Sequence, residues 1–445
     1  NITIKILSEV EKVEGFVGNF QVTIREKAKY VDHNLCTGCG LCTTKCPEKK
    51  IPNEFNENMG CRSAIYKVFE QAVPSRKLTT GKCGVCQKIC PTGAIKYNDE
   101  DVVTTETYGA VVLATGYDLI RWKDIYPEYG GGAYSDVIDG LGFERLVNAS
   151  GPTEGHIRRP SDGKTPKNLV IVKCVGSRDP HKGKAYCSRT CCMYGAKHAH
   201  QFLDKVPDGN CYVFYMDVRT PGRRYDEFYM QTKEDGALYI RGRVSKIYQE
   251  GDHLVVMGAD TLSGENVVVD ADMVVLETAM VASEGAKETA MMFGVQTDED
   301  NWITEAHPKL RPVETASRGI FLAGVAQGPK DIPDTVAQAG AAAAKVIVMF
   351  AHDSLESNPQ ISQVDISKCS GCGTCISICP YGALNLVEKN LRENSVKVTR
   401  TVCEVNSVLC QGCGACAAAC RCGALDLLGY TDSSIMKEVD ALCQW

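Results

Sequence analysis

Cysteine spacing is the feature of this sequence that bears most directly on chemistry. The chain has 24 cysteines among 445 residues, and fifteen of them lie in four short arrays. Three arrays have the spacing C-x-x-C-x-x-C-x-x-x-C, and one lacks its leading cysteine, where Thr80 stands. In this pattern three close thiolates hold one iron–sulfur cubane and the fourth cysteine holds its neighbour. The arrays are Cys36, Cys39, Cys42 and Cys46; Cys83, Cys86 and Cys90; Cys369, Cys372, Cys375 and Cys379; and Cys410, Cys413, Cys416 and Cys420.

Structural zinc and disulfide bridges are the alternatives to iron–sulfur clusters. Zinc sites close with four ligands as separated pairs, and disulfide frameworks belong to small secreted domains, so the spacing favours clusters. The crossed pattern predicts four ligand sets. They are Cys369, Cys372 and Cys375 with Cys420; Cys410, Cys413 and Cys416 with Cys379; Cys36, Cys39 and Cys42 with Cys90; and Cys83 and Cys86 with Cys46.

The set of Cys46, Cys83 and Cys86 lacks a fourth thiolate. Cys61 is the unassigned cysteine between the two halves of this cysteine block, and we predict that it is the missing ligand, because a buried cubane with an open iron would be labile. The alternative is that Cys61 is a buried thiol. Two further cysteines, Cys403 and Cys422, fall outside the pattern and are expected to be core or incidental thiols.

Four cysteines in the middle of the chain have a different spacing. Cys174 ends the apolar run NLVIVKC at 168–174, and Cys187, Cys191 and Cys192 follow. A helix predicted over 187–203 would place Cys187 and Cys191 one turn apart on one face, beside the end of that strand. Such thiolates can surround one metal centre, and a cubane, zinc or a redox dithiol would each fit the spacing.

Composition excludes several classes of protein. Lys and Arg number 49 against 55 Asp and Glu, with no basic stripe, so nucleic acid is not an expected partner. The longest apolar stretch, at 341–350, is interrupted by Lys345 and is too short to span a bilayer. The first residues lack the parts of a signal peptide. So many thiols without a secretion signal indicate a reducing, anaerobic cytoplasm.

The elements that must position these cysteines follow an α/β pattern. Residues 1–24 predict a hairpin, with ITIKIL as its first strand and a turn near Gly15–Gly18. Strands alternating with helices indicate an open α/β sheet core, to which one cysteine block is inserted and another appended. Buried-strand patterns occur at 111–116 (VVLATG), 168–174, 267–279 and 319–324 (GIFLAG), and an alanine-rich helix is predicted over 335–350.

Two of these segments are typical of flavoproteins. VVLATG and the run from GIFLAG to 346 match the FAD-contacting segments of the thioredoxin reductase fold, where a helix N-terminus faces the pyrophosphate or the isoalloxazine. In flavin-dependent disulfide reductases the second nucleotide-binding half opens with a strand and G-x-G-x-x-G. Here NLVIVK is followed by CVGSRD. We therefore expect that NADH and NADPH do not donate electrons at this place.

The order of these segments resembles the heterodisulfide reductase A-subunit family across essentially the whole chain. The most specific motifs are CVGSRD, CSRTCCMY and AQGPKDIPDTVAQA, between one inserted and one terminal ferredoxin-like unit. The resemblance implies an α/β, thioredoxin-reductase-like two-domain nucleotide-binding flavoprotein core, N-terminally incomplete, with inserted and C-terminal ferredoxin-like α+β domains. It also implies FAD, about five [4Fe–4S] clusters, and a non-standard [4Fe–4S] cluster on Cys174, Cys187, Cys191 and Cys192.

The same resemblance implies the flavin site and the domain boundaries. Gln327, Lys330 and Asp331 are expected close to the flavin, with Lys330 as a charge that tunes its potentials. The other expected FAD-binding residues are Thr115, Gly116, Gly324, Gly328, Asp334 and Thr335. The expected domains are FAD-binding at 1–24, 104–165 and 281–353, ferredoxin-like at 25–103 and 354–445, and a second nucleotide fold carrying the non-standard cluster at 166–280.

The implied function is that of an oxidoreductase subunit that bifurcates electron pairs. The pairs would come from a hydrogenase or formate dehydrogenase module and be divided between ferredoxin and the disulfide-reducing heterodisulfide reductase subunits, in a complex expected to be a dimer. One alternative is a non-bifurcating electron-relay adaptor in an aromatic-ring or methylene-carrier reductase, and another is a zinc-stabilised scaffold. Family members have an N-terminal region before the hairpin, so we expect either a fragment or a separate N-terminal polypeptide that completes the FAD site.

Overall fold

The computed structural model describes residues 2–67, 72–74, 83–352, 354, 360–393 and 396–443, and Thr80 lies outside these ranges. None of the helices in these ranges is both long and apolar enough to cross a membrane.

The strands are β1 (Ser8–Phe16), β2 (Asn19–Glu26), β3 (Ile51–Pro52), β4 (Cys61–Arg62), β5 (Ile65–Lys67), β6 (Ala72–Pro74), β7 (Val102–Tyr108), β8 (Val111–Leu113), β9 (Tyr117–Leu119), β10 (Val137–Asp139), β11 (Asn168–Val175), β12 (Asn210–Tyr215), β13 (Leu238–Arg241), β14 (Val244–Glu250), β15 (His253–Asp260), β16 (Glu265–Ala271), β17 (Met273–Thr278), β18 (Met280–Ala282), β19 (Ile320–Leu322), β20 (Ser362–Val364), β21 (Leu384–Glu393), β22 (Val396–Val405) and β23 (Leu425–Leu427). The helices are α1 (Leu41–Thr44), α2 (Val85–Ile89), α3 (Trp122–Ile125), α4 (Gly140–Val147), α5 (Cys191–Lys205), α6 (Tyr225–Glu234), α7 (Ala286–Met292), α8 (Ile332–Phe350), α9 (Thr374–Ile378), α10 (Ala415–Ala419) and α11 (Asp432–Leu442).

A five-stranded parallel sheet in the order β10-β17-β11-β12-β13 forms the largest sheet of these residues. Every residue of β17 is buried, because one face packs on helices α4 and α5 and the other on the antiparallel sheet β14-β15-β16. A sheet covered on both faces needs strands that are apolar throughout, which explains the continuous runs NLVIV and MVVL. The predicted α/β class is confirmed.

The two flavoprotein-like segments are adjacent in space. Strands β8 and β19 pair in parallel, and the amide of Ala323 donates to the carbonyl of Leu113 across the pair. Both strands lead into glycines with left-handed backbone angles, Gly116 at φ 77° and Gly324 at φ 70°. Such angles favour glycine, since a Cβ atom is strained there. Residues about 200 positions apart in the sequence therefore meet at one edge of the fold.

The predicted hairpin is present, but its first strand was placed too early. It begins at Ser8 in β1 and turns at Val17 and Gly18 into β2. Residues 2–7 do not form a strand, because Leu7 has a left-handed φ of 53° and the apolar side chains of Ile2 and Ile4 are exposed. An apolar stretch forms a strand only where a neighbouring strand accepts its hydrogen bonds.

The inserted unit (25–103) and the terminal unit (354–445) are built on the same local pattern. In each, a cysteine loop ends at a left-handed glycine that precedes a short helix; these glycines are Gly40, Gly84, Gly373 and Gly414, before α1, α2, α9 and α10. The inserted unit contacts the central sheet's helix α4, where Arg145 donates to Asn56 at 3.0 Å and lies over the ring of Phe55.

Candidate functional site

In the terminal unit, two cavities are each lined by one of the predicted crossed sets of cysteines. Because helices α9 and α10 run from one cysteine loop towards the other, the last cysteine of each array reaches the opposite cavity. One cavity, of about 330 Å³ with its open mouth included, is lined by Cys379 with Cys410, Cys413 and Cys416. The other, of about 360 Å³ measured in the same way, is lined by Cys369, Cys372, Cys375 and Cys420.

Two cysteines that the spacing left unassigned also line the second of these cavities. Cys403 is buried, with its Sγ atom 3.5 Å from that of Cys375, and Cys422 is exposed at the rim, 3.3 Å from the hydroxyl of Ser370. The sequence carries no signal for this placement, because Cys403 lies in the hairpin strand β22, outside the arrays. The expectation of a core thiol holds for Cys403, yet this core thiol borders a cysteine cavity.

The inserted unit brings one predicted set together completely. A cavity of about 360 Å³, its open mouth included, is lined by Cys36, Cys39, Cys42 and Cys90. Within the described ranges, no three His, Cys, Asp or Glu side chains are grouped as ligands of a single metal ion. Each of the three cavities is lined by the four thiols of one predicted set, which is the number of thiolates that a [4Fe–4S] cubane takes.

A tyrosine lies beside the second set of the inserted unit. The Sγ atom of Cys86 lies 2.6 Å from the hydroxyl of Tyr97, and burial, this contact and the charges of Cys83 and Cys46 raise the pKa of Tyr97. Cys61 is exposed on the short strand β4, where it lies opposite Pro52 of β3. Cys61 as fourth ligand stays a prediction.

The central cysteines lie where β11 meets α5. The thiol of buried Cys191 forms hydrogen bonds with the thiols of Cys174 and Cys192. These hydrogen bonds lower the pKa of Cys192 to about 6 and also lower the pKa of Cys174. Cys174 has a left-handed φ of 61°, a conformation that costs energy for a non-glycine residue and is concentrated at functional sites. These three thiols are therefore held together by the end of one strand and the start of one helix.

Cys187 is not on this helix, contrary to the prediction of a helix over 187–203. Helix α5 begins only at Cys191, because Arg189, with a φ of 59°, interrupts helical geometry before it. The Cys187 thiol accepts the amide of Arg189 at 3.3 Å, and Arg178 interacts with both Cys187 and Cys174. Residues 176–190 separate strand from helix. A dinucleotide-binding turn has no such separation, since its glycine loop opens directly into the helix.

Next to the loop that precedes α5 lies a large cavity, about 2060 Å³ including its open mouth. This loop contributes Arg189 and Thr190 to its lining, and the segment that opens α8 contributes Lys330 and Asp331. The lining is mostly apolar and includes these charged side chains. Other lining residues are Tyr117, Leu119, Glu144, Met193, Tyr194, Lys197, Tyr225, Phe228, Met280, Val325 and Thr335.

Lys330 is the best-defined of the predicted flavin residues. Its ammonium donates to the carbonyl of Gly324 at 2.7 Å and to Oε1 of Gln327 at 3.1 Å. Burial, followed by the positive charge of Arg189, lowers the pKa of Lys330 to about 8. A lysine with a lowered pKa beside a cavity is a candidate to bind a negative ligand, because the charge of such a ligand would favour the ammonium form.

Of the remaining predicted flavin residues, Asp331, Asp334 and Thr335 lie at the start of α8. Asp331 caps this helix by accepting the amide of Asp334, and it also accepts the hydroxyl of Tyr225 at 2.8 Å. Thr115 is not among the residues that line the cavity, and its buried hydroxyl has no hydrogen-bond partner within the described residues. A buried hydroxyl without a partner costs free energy. Gly328 has a φ of 152°, and Thr335 lines the cavity.

Sequence reasoning missed a buried chain of charged groups beside this cavity. His198 of α5 lies 3.0 Å from Oε1 of Glu277 and 2.9 Å from Oε1 of Glu144, which lines the cavity. His198 and Glu277 are fully buried. Their pairing joins residues 54 and 79 positions apart, so no local motif could have revealed it.

The cysteine arrays match known families. Residues 29–49 match a 4Fe-4S binding domain, and residues 368–424 match a 4Fe-4S dicluster domain. These matches contain the first array of the inserted unit and both arrays of the terminal unit. The chain therefore contains [4Fe–4S] domains, as the spacing predicted.

The chain is also similar to solved and curated proteins. Thioredoxin reductase of T. acidophilum is 14% identical, with a TM-score of 0.35, over 57% of this chain and 70% of that one. The chain is 43% identical over 400 residues to the A subunit of the H(2):CoB-CoM heterodisulfide,ferredoxin reductase of Methanothermobacter thermautotrophicus. It is 45% identical over 397 residues to the second iron-sulfur A subunit of the CoB--CoM heterodisulfide reductase of Methanopyrus kandleri.

A third relative is the A subunit of the H(2)/formate:CoB-CoM heterodisulfide,ferredoxin reductase of Methanococcus maripaludis, at 41% identity over 398 residues. Each of these three alignments covers 88% of this chain and 60% of the relative, so the chain spans about 60% of the relatives' length. Sequence identity of 41–45% over 88% of the chain assigns it to the family of these relatives. The chain belongs to the heterodisulfide reductase A-subunit family of oxidoreductases.

Proposed function

We propose that this chain is the electron-distributing subunit of a heterodisulfide-reductase-type complex. It would hold FAD in the large cavity and [4Fe–4S] clusters at five cysteine sets. The relatives' names support this, since they specify CoB–CoM heterodisulfide and, in two cases, ferredoxin and hydrogen or formate. The electron-input module would therefore be a hydrogenase or a formate dehydrogenase, and the acceptors ferredoxin and the disulfide-reducing subunits.

One observation carries this proposal: the large cavity is lined both by predicted flavin residues and by residues that flank the central cysteines in the chain. Lys330 lines it together with Arg189 and Thr190, whose loop runs directly into Cys191. A flavin bound in this cavity would be next to the central cysteine set. Electron transfer between two cofactors requires such proximity, and FAD, when bound, supplies the exchange between electron pairs and single electrons.

The residues of the cavity suit a flavin in two ways. The apolar side chains of Leu119, Met280 and Val325 offer a water-poor surface for a ring system. The amides at the N-terminus of α8 and the Lys330 ammonium favour negative charge. Lys330 would thereby stabilise electron density added to the ring.

The exposed apolar side chains of α8 support a further partner. Ile332, Val336 and Ile347 are each more than 60% exposed. Apolar residues repeated along one helix usually pack against another surface. We propose that further FAD-binding polypeptide, of this chain or of a separate one, covers this surface. The number of thiols supports a reducing, cytoplasmic setting for the assembly.

Coupled reduction by the anaerobically purified complex tests the function. With hydrogen or formate as donor, we expect ferredoxin to be reduced only while CoB–CoM heterodisulfide is also reduced, and we expect Lys330→Met to lower both rates at least tenfold. Lys345→Met is the control, because Lys345 lies on α8, the helix that follows Lys330, but pairs with Glu314 and does not line the cavity. Ferredoxin reduction without the disulfide would favour the non-bifurcating adaptor.

A further inference from the structure

The two cysteine cavities of the terminal unit are related by internal pseudo-symmetry. Each is bordered by a strand residue whose amide donates to the first cysteine of the array. The amide of Ser362 donates to Sγ of Cys410 at 3.4 Å, and the amide of Cys403 donates to Sγ of Cys369 at 3.3 Å. Ser362 and Cys403 therefore occupy equivalent positions, one beside each cavity.

Neighbouring residues repeat the same relation. Two positions before each strand residue, a carbonyl lies against the first glycine of the array: that of Gln360 against Gly412 and that of Thr401 against Gly371. The last cysteine of each array also accepts a matching amide, from Ala383 to Cys379 at 3.4 Å and from Ala424 to Cys420 at 3.3 Å. The backbone donors of the two cavities are thus the same.

The side chains at the equivalent positions differ. The hydroxyl of Ser362 lies 3.2 Å from Sγ of Cys416, whereas the thiol of Cys403 lies 3.5 Å from Sγ of Cys375. Both residues are buried, at 4% and 2% exposure, so water cannot replace either donor. A hydroxyl is a full hydrogen-bond donor and a thiol is a weak one.

A second hydroxyl does not cancel this difference. Thr374 lies 3.5 Å from Sγ of Cys372, at the position where the other array has Ala415. Ser370 is a further donor to Cys372, but Cys372 is exposed, so water can reach the same sulfur. The rims of the cavities also differ, since Cys422 lines one and Tyr381 the other. Among the buried side chains that contact a ligand sulfur, the two cavities differ at Ser362 and Cys403.

We propose that Ser362 and Cys403 are a matched pair of positioning residues that make the two clusters of the terminal unit unequal in reduction potential. Hydrogen bonds to a ligand sulfur stabilise the reduced cluster, which carries one more negative charge, and so raise its potential. Ser362 raises the potential of the cluster held by Cys379, Cys410, Cys413 and Cys416. When one electron passes to this cluster from the cluster beside Cys403, the donor cluster is oxidised by one electron and the acceptor cluster is reduced by one. Ser362 therefore favours electron transfer towards the cluster that it contacts.

The inference rests on the proposal that both cavities hold [4Fe–4S] clusters, and redox titration followed by electron paramagnetic resonance tests it. In the complete chain purified anaerobically, Ser362→Ala should shift one cluster component to lower potential. Cys403→Ser should shift a different component to higher potential. Ser362→Thr keeps the hydroxyl and should restore the potential. Ser433→Ala, an exposed change on α11, should shift neither component.

Three outcomes would overturn the inference. Unmoved potentials in both variants, with clusters intact, would show that neither side chain tunes a cluster. Loss of iron in Cys403→Ser would show that Cys403 is itself a ligand. If Ser362→Ala loses its cluster, then Ser362→Thr must retain it at the original potential, or the hydroxyl has no tuning role. Absence of cluster signals from the unmodified chain would instead contradict the proposed function.

Discussion

Arg189 and Asp334 form an ion pair, with guanidinium and carboxylate atoms 3.0 Å apart, that joins the loop of Cys187 to the first turn of α8. Both side chains are about half exposed, so the pair itself contributes little to stability. It does place a positive and a negative charge beside Lys330. The electrostatic state of Lys330 therefore depends on the loop that carries the central cysteines.

Removing the charge of Arg189 and removing the charge of Asp334 should move the pKa of Lys330 in opposite directions. Arg189→Ala removes a repelling cation and should raise this pKa above about 8, whereas Asp334→Asn removes an attracting anion and should lower it. The free energy of unfolding should change by less than about 1 kcal/mol in each variant. Acetylation of Lys330 at a series of pH values, quantified by mass spectrometry, measures the pKa. Shifts of the same sign in both variants would contradict this account.

The buried His198 should stabilise the fold in a pH-dependent way. Burial opposes its protonation, but the carboxylates of Glu277 and Glu144 outweigh burial and raise the pKa of His198 to about 9 from 6.5. A raised pKa gives stabilisation that is complete below pH 6.5 and lost as pH rises through 9. His198→Ala leaves the buried Glu277 without the imidazolium that it pairs with, whereas Glu144 keeps Lys197, and the change should cost about 3–5 kcal/mol at pH 6.

Hydrogen exchange of the α5 amides at pH 6 and pH 9.5 tests this, since it reports local stability in a chain of several domains. The difference between His198→Ala and the unmodified chain should shrink at the higher pH. His200→Ala is the matched control, because His200 is on the same helix but pairs with Asp235 where solvent reaches it. Its effect should stay below about 1 kcal/mol. Equal losses at both pH values would exclude protonated His198 as the cause.

NADH and NADPH should not reduce the flavin directly. Strand β11 ends in Cys174 and Val175, and residues 176–190 separate it from α5, so the helix N-terminus that would bind the nucleotide's pyrophosphate is absent from the strand end. Rapid anaerobic mixing of the complex with either nucleotide should leave the flavin absorbance unchanged, while the native electron donor bleaches it. Bleaching by a nucleotide in the absence of other subunits would refute the prediction.

Cys61→Ala should damage one cluster of the inserted unit. The spacing gives Cys46, Cys83 and Cys86 no fourth thiolate from the arrays, and alanine, unlike serine, has no oxygen with which to bind iron. We expect a loss of iron per chain and of one paramagnetic component. Cys443→Ala, an exposed cysteine after α11, is the control and should lose neither. An unchanged iron content in Cys61→Ala would identify Cys61 as a structural thiol.

The sequence by itself determined the features that arise from short-range spacing. Four arrays of three or four cysteines, each within eleven residues, indicated the [4Fe–4S] domains, because ligands on one tight loop need no information from elsewhere in the chain. Apolar runs such as NLVIV likewise indicated buried parallel strands. The alternation of these strands with helices was enough for the α/β class. Local prediction was wrong where left-handed residues intervened, at Leu7 and at Arg189.

Only the tertiary structure decided how these elements meet. The pairing of Arg189 with Asp334 joins residues 145 positions apart, and that of His198 with Glu277 joins residues 79 apart. Ser362 and Cys403 became equivalent only when the strand pairs β20-β23 and β21-β22 formed beside the two cavities. Single buried residues of this kind have no periodic pattern and no motif. Their chemistry depends on burial and on distances to partners, which the packing of distant segments sets.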